Sequence, residues 1–221
     1  MRSCLNSEAW LAPGIHMTLI DEDLVVLDVQ SDAYACLVGG SEYVQLLADN
    51  RIGVSHREVL EDLIAANWLT TSATNRSAPS ASVPRRSREG SGQANLRDLI
   101  RVGLDTHISA AVFRRQSFAE LLETARRLRR KADDAGPFDM NIIDRTVAAF
   151  TTLRPWLPNQ GVCLQRSFCL LQCLSRRGVV ANWVFGVRTW PFAAHCWLQV
   201  GDEVIGDDLD RISAYAPILV V

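Results

Sequence analysis

At 221 residues the chain is long enough for one large domain or two small ones. Its 48% hydrophobic and 22% charged residues are ordinary for a globular protein and argue against disorder over most of the length. A net charge of -2 argues against a nucleic-acid-binding protein, and no apolar run approaches the roughly 18 residues a membrane-spanning helix needs. Charge is unevenly spread: residues 1–70 carry 11 Asp/Glu against 3 Arg, whereas residues 97–131 carry 9 Arg/Lys against 4 Asp/Glu. The two regions could attract each other or meet different partners, but two solvated faces is the favoured reading. The first ten residues lack the apolar core of a secretory signal, with Glu8 inside it. The expected location is therefore cytoplasmic, with the six cysteines reduced.

Three short runs at 15–20, 23–29 and 33–38 are rich in β-branched or aromatic residues, with DED and QSD turns between them, and predict strands. A helix is predicted over 41–48. A second follows in SHREVLEDLIAANW, where Ser55 and Glu58 have capping-box spacing and Val59, Leu60, Leu63 and Ile64 form an apolar stripe. The stretch 71–93, rich in Ser, Ala, Pro, Gly and Arg, reads as a flexible linker between a domain at 1–70 and one at 94–221.

Beyond it, helices are predicted over 96–114, 118–132 and 141–153, the second stopping near Gly136-Pro137 and the third at Pro155 and Pro158. NQGVCLQRSFCLLQCLSRRG predicts another over 162–177, closed by Gly178. Strand patterns follow in VVANWVFGVRTW, AAHCWLQV and EVIGD, with Gly201-Asp202 marking a hairpin. The fold class is α+β.

Three cysteines on one helix raise a chemical question. A free thiol has a pKa near 8.5, and an unpaired helix N-terminus stabilises its thiolate. Cys163 occupies such a start. Cys169 and Cys173 lie two and three turns further in and read as core packing. His195 is the only histidine in the last 110 residues and sits on a strand, so a thiolate–imidazolium pair with Cys163 is open to it. A group to orient the imidazole is available at Asp207 or Asp208. A two-residue hairpin loop sets His195 opposite Asp208, and an odd loop or bulge sets it opposite Asp207, so spacing leaves both open. Zinc on Cys163, Cys169, Cys173 and His195 is the rival, but C-x-x-C is absent and six-residue helical spacing splays the ligands, so no metal site is expected.

The block CLQRSFCL, LSRRGVVANWVFGVR and PFAAHCWLQVGDEVIGDD resembles the leader peptidases, or B proteins, of lasso-peptide biosynthesis, which are similar to transglutaminase-like (papain-like) cysteine proteases. The resemblance runs from about 161 to 221. It implies Cys163 as nucleophile, His195 as base and Asp207 as the acid, and it differs at Cys196, where the family usually has alanine. DLVVLDVQSDAYACLVGG is similar to the winged-helix-like leader-recognition element, with three strands and three helices, that is fused to such enzymes. That element captures a leader as an added strand, implying Ala33, Tyr34, Ala35, Cys36 and Leu37, with Glu61 and Ile64 on the facing helix. The resemblance implies a leader peptidase freeing the amino terminus of a core peptide for macrocyclisation. Its partners would be the lasso precursor and an asparagine-synthetase-like macrocyclase, with no cofactor on this chain and ATP entering through the cyclase. A transglutaminase-type acyl transferase and a non-catalytic precursor escort are the alternatives.

Overall fold

Backbone pairing, more than local helix preference, shapes the N-terminal part of the chain. The computed structural model describes residues 7–73, 81–90, 93–133, 139–156 and 162–221. Two compact units are found: 1–79 with 187–193 and 216–218, and 80–186 with 194–215 and 219–221.

In the first unit the elements run β1 (Ser7–Leu11), β2 (Ile15–Ile20), β3 (Asp23–Asp28), β4 (Ala33–Leu37), a 3-10 turn (Gly40–Glu42), β5 (Val44–Leu46), β6 (Arg51–Val54), α1 (Arg57–Ala65) and β7 (Leu69–Thr70). β2, β3 and β4 form one antiparallel sheet with β3 central, and a second sheet has the order β5-β6-β1-β7. The three strands expected at 15–38 are present. β3 is buried on both faces, because Leu24 and Val26 join a core with Ile15, Met17, Ile52 and Leu63 while Val25 and Leu27 are buried behind them.

Elsewhere the expected three-strand, three-helix plan gives way to seven strands and one α-helix among the described residues. The helix expected over 41–48 is a 3-10 turn followed by β5. Asp49 and Asn50 both hold positive φ (59° and 58°), the geometry of a tight hairpin turn. That turn pairs Val44, Gln45 and Leu46 with Val54, Gly53 and Ile52. The expected capping box at Ser55 and Glu58 is also not formed. α1 starts one residue later, behind His56, and the Ser55 hydroxyl donates to the carbonyls of Tyr43 (3.3 Å) and Glu42 (3.4 Å).

The chain continues with β8 (Arg86–Arg88), α2 (Leu96–Phe113), α3 (Phe118–Asp133), α4 (Met140–Leu153), α5 (Cys163–Ser175), β9 (Asn182–Arg188), β10 (Ala193–Val200), β11 (Glu203–Ile205), α6 (Leu209–Ile212) and β12 (Ala216–Val220). The four large helices fall within a residue or two of their predicted bounds. The stop expected at Gly136-Pro137 lies outside the described residues, as does Pro158. α5 is the central helix: its residues from Ser167 to Leu174 are all buried, and Phe168 packs against Phe113 and Trp183 at ring distances of 6.0 and 5.7 Å. A helix apolar around its whole circumference must be covered on all sides, here by α2, α3 and α4 and by Trp183 of β9.

The sheet has the order β12-β9-β10-β11-β8. Its last strand corrects the linker reading of 71–93. Residues 74–80 and 91–92 lie outside the described residues, but Arg86, Ser87 and Arg88 pair in parallel with Glu203, Val204 and Ile205. Gln199 Nε2 donates to the Ser82 carbonyl. Composition hid this strand because none of its side chains is apolar. It is held by backbone bonds at a sheet edge and by charge: Arg88 Nε donates to Glu203 at 2.7 Å, and its Nη1 donates to both oxygens of Asp144 at 2.9 Å. The guanidinium is only 25% exposed, and the carboxylates 14% and 18%.

Arg88→Ala strands two half-buried carboxylates, and its expected cost is about 2–4 kcal/mol. Urea denaturation of the full chain checks this, and Arg88→Lys recovers only part because an ammonium cannot bridge both carboxylates in fork geometry.

Candidate active site

α5 opens with Val162 in extended conformation and no side-chain cap, so the first-turn N–H groups surround Cys163 without a competing acceptor from a capping residue. The half-buried Cys163 thiol hydrogen-bonds to His195 and to Cys196 on β10. Its pKa falls to about 4 from an ordinary 9.0. Hydrogen bonds from the Cys196 thiol and from His195 lead, opposed by burial and helped by the imidazolium charge and the Cys196 backbone N–H. His195 rises to about 9. Burial disfavours its charge, but hydrogen bonds to Asp207 and Cys163 and their negative charges outweigh that. The two shifts agree in describing one thiolate–imidazolium pair, whose titration steps belong to the pair.

His195 Nε2 lies 2.8 Å from Asp207 Oδ2, leaving Nδ1 as the ring nitrogen available to Cys163. Tyr215 and Trp197 flank the ring, at centroid distances of 5.4 and 6.3 Å. Asp207 is 8% exposed and heavily supported. Arg166 Nη2 donates to the same Oδ2 at 2.9 Å, the Asp208 N–H donates to Oδ1 at 2.9 Å, and Arg211 stands 3.5 Å from Oδ1. Burial pushes its pKa up, yet the bonds from His195 and the Asp208 N–H, with the charges of His195 and Arg166, hold it below the ordinary value.

The hairpin takes the two-residue loop, pairing Leu198 with Ile205 and Val200 with Glu203. Continued, that register would set Asp208 opposite His195. The strand instead ends at Ile205, and Gly206, at φ 69°, turns the chain so that Asp207 meets the imidazole. Asp208 is diverted to cap α6, accepting from the Asp210 N–H at 2.8 Å. A side chain at position 206 would be strained by its φ and would meet Leu170 at 2.9 Å. Arg166 and Gly206 were not singled out from the sequence. The signal for Arg166 was its place one turn after Cys163 on the same helix face.

Cys169 and Cys173 are both buried, with pKa values pushed up to about 12 and 11, in each case chiefly by burial. Cys173 Sγ sits 3.6 Å from Thr106 Oγ1. Among the described residues no three His, Cys, Asp or Glu side chains group as a metal site.

In the first unit, Ala33, Tyr34, Ala35, Cys36 and Leu37 form β4, the edge strand of its sheet. Ala35 and Leu37 turn toward the core, as does Ile64 of α1, whereas Glu61 pairs with Arg57 on an exposed face. On the β4 surface a pocket is lined by Tyr34, Cys36, Val38, Thr189, Trp190 and Phe192, with the Tyr34 and Phe192 rings 5.6 Å apart. Trp190 Nε1 donates to Asp23 at 2.7 Å. Trp190 and Phe192 were not anticipated, because their segment reads as the tip of a distant hairpin.

A helix-start thiol bonded to a strand histidine, itself held by a carboxylate, is the kind of arrangement that thiol-dependent acyl transfer requires. Residues 100–220 match the family model of the transglutaminase-like superfamily, and the chain belongs to that superfamily. Over 59 residues it is 42% identical to the microcin J25-processing protein McjB of Escherichia coli. That match covers 25% of this chain and 28% of the relative. No solved structure matches significantly.

Cys163 alkylation by iodoacetamide is expected to stay fast from pH 9 down to about 5 and to fall only as pH drops through about 4. Peptide mass mapping of the 163 site reads this; a midpoint near 8.5 would mean an unpaired thiol. Cys169→Ala and Cys173→Ala are expected to cost about 1–2 kcal/mol in denaturation while leaving that profile in place.

Proposed function

We propose that the chain is a cysteine endopeptidase that removes the leader from a ribosomally made lasso-peptide precursor. The observation that carries this reading is the bonded set Cys163, His195 and Asp207 in a transglutaminase-like domain. The partial likeness to a microcin J25-processing protein supports a peptide precursor as the substrate class.

The Cys163 thiolate attacks the carbonyl at the leader–core junction, and the oxyanion that forms is held by the Cys163 backbone N–H at the open end of α5. The imidazolium of His195, already protonated at neutral pH, gives its proton to the leaving amine. The core peptide departs with a free amino terminus. Neutral His195 then takes a proton from water, which hydrolyses the leader thioester and restores the ion pair. Asp207 is a positioning residue: it fixes the ring at Nε2, and Arg166 keeps it ionised while His195 is neutral.

The leader is proposed to add as a strand along β4, at the end of the β2-β3-β4 order, beside Ala33, Tyr34, Ala35, Cys36 and Leu37, with Glu61 and Ile64 on α1. The proposed setting is the cytoplasm. The partner is an asparagine-synthetase-like macrocyclase that uses the freed amine and supplies any ATP requirement, this chain contributing no cofactor.

Incubating the full chain with its precursor is expected to release a leader-sized fragment by mass. Cys163→Ala should abolish release while retaining binding of a labelled leader peptide. Asp207→Asn should lower kcat by about 10²- to 10⁴-fold with little change in KM. Leader release by Cys163→Ala would end the proposal, and binding without release by the unaltered chain would identify an escort.

A further inference from the structure

Cys196 is a buried thiol that the proposed reaction leaves without a chemical role. β10 carries it next to His195, and at 3% exposure it is closed off from solvent. Ser167 fixes its place. That hydroxyl, one turn after Cys163, donates to the Cys163 carbonyl at 2.8 Å and accepts from Trp183 Nε1 at 2.8 Å, and its oxygen stands 3.3 Å from Cys196 Sγ. The Cys196 sulfur is thereby held against the first turn of α5, where its thiol hydrogen-bonds directly to the Cys163 sulfur. Cys169 and Cys173 lie further along the helix, and neither is among the groups bonded to Cys163. The site thus contains a half-exposed thiolate with a solvent-shielded thiol behind it.

We propose that Cys163 and Cys196 are a redox pair, in which Cys196 resolves the oxidised nucleophile by closing a reversible intramolecular disulfide. The oxidant class is a hydroperoxide. The Cys163 thiolate attacks one oxygen of hydrogen peroxide, the O–O bond breaks, and the departing hydroxide takes the His195 proton and leaves as water, giving the sulfenic acid. The Cys196 sulfur then attacks the Cys163 sulfur. The S–S bond forms, the S–OH bond breaks, and the hydroxyl leaves as water with the Cys196 proton. Two thiols have lost two electrons and peroxide has become two waters. An accessible, ionised cysteine with no second thiol in contact continues instead to sulfinic acid, which thiol reductants do not reverse. Contact between the two sulfurs makes the disulfide the faster exit. Closing it removes the nucleophile, and a dithiol reductant returns it.

The test uses the purified full chain and hydrogen peroxide, with intact mass and peptide mapping as readouts, and so needs neither precursor nor cleavage activity. The expected product is a loss of two hydrogens per chain, mapped to a cross-link between the peptides containing Cys163 and Cys196. Dithiothreitol should then restore iodoacetamide labelling of Cys163. Cys196→Ser and Cys196→Ala should gain two oxygens at Cys163 instead and recover about tenfold less labelling. Two added oxygens on the unaltered chain, a cross-link from Cys163 to another cysteine, or full recovery by the Cys196 variants would overturn the proposal. Should both variants fail to fold, the cross-link map of the unaltered chain decides alone.

Discussion

One buried carboxylate ties the second unit's candidate site together. Asp207 is almost entirely out of water, and a carboxylate there is tolerated only if its charge and its lone pairs are met. Donors come from three elements: Arg166 from α5, His195 from β10, and the Asp208 N–H with Arg211 from the α6 segment. The thiolate, imidazolium, carboxylate and Arg166 guanidinium sum to no net charge, which is why so much ionised chemistry can sit in a half-buried place. Sharing Oδ2 between His195 and Arg166 also limits how far Asp207 raises the basicity of His195. A histidine paired with an undivided carboxylate would hold its proton harder and give it up less readily to a leaving amine.

What was legible in the sequence was whatever rests on side-chain periodicity. The bounds of α2 to α5 follow from apolar stripes and caps, and β2, β3 and β4 follow from β-branched runs broken by acidic turns. What was not legible rests on backbone pairing with a remote partner. β8 carries Arg, Ser and Arg, and its strand state is decided by the edge of β11 and by two carboxylates, one of them Asp144, that are distant in sequence. β5 looks helical until Asp49 and Asn50 are seen in left-handed conformation, which fixes the hairpin. The choice between Asp207 and Asp208 is the same lesson at finer grain. The pairing register is the one that favours Asp208, and a single glycine beyond the ladder reverses the outcome.

The three cysteines of α5 show how position on a helix separates residues of identical chemistry. Cys163 lies at the open end, with an imidazolium and a thiol donor beside it, and its pKa drops to about 4. Cys169, two turns on, has no such partners and rises to about 12. A gap of that size is the difference between an ionised nucleophile and an inert, hydrophobic side chain at every pH the chain meets. Sequence proximity therefore groups the wrong set. The thiol coupled to Cys163 is Cys196, on a strand reached only through the fold.

That coupling bears on why a thiol at position 196 is compatible with the nucleophile proposed at Cys163. A second cysteine in contact with a reactive thiolate endangers it, since the pair can oxidise. The same contact stabilises the thiolate, because the Cys196 S–H is a donor in a place where water is scarce. The buried Cys196 is itself held protonated well above the ordinary range, by burial first, then by its hydrogen bond to Cys163 and by the Cys163 charge. It is thus a donor and not a competing nucleophile for as long as Cys163 is ionised. Once Cys163 is a sulfenic acid its negative charge is gone, and with it one of the influences holding the Cys196 proton in place. The electrostatics that keep Cys196 silent in the resting site are relaxed by the very event that calls for it.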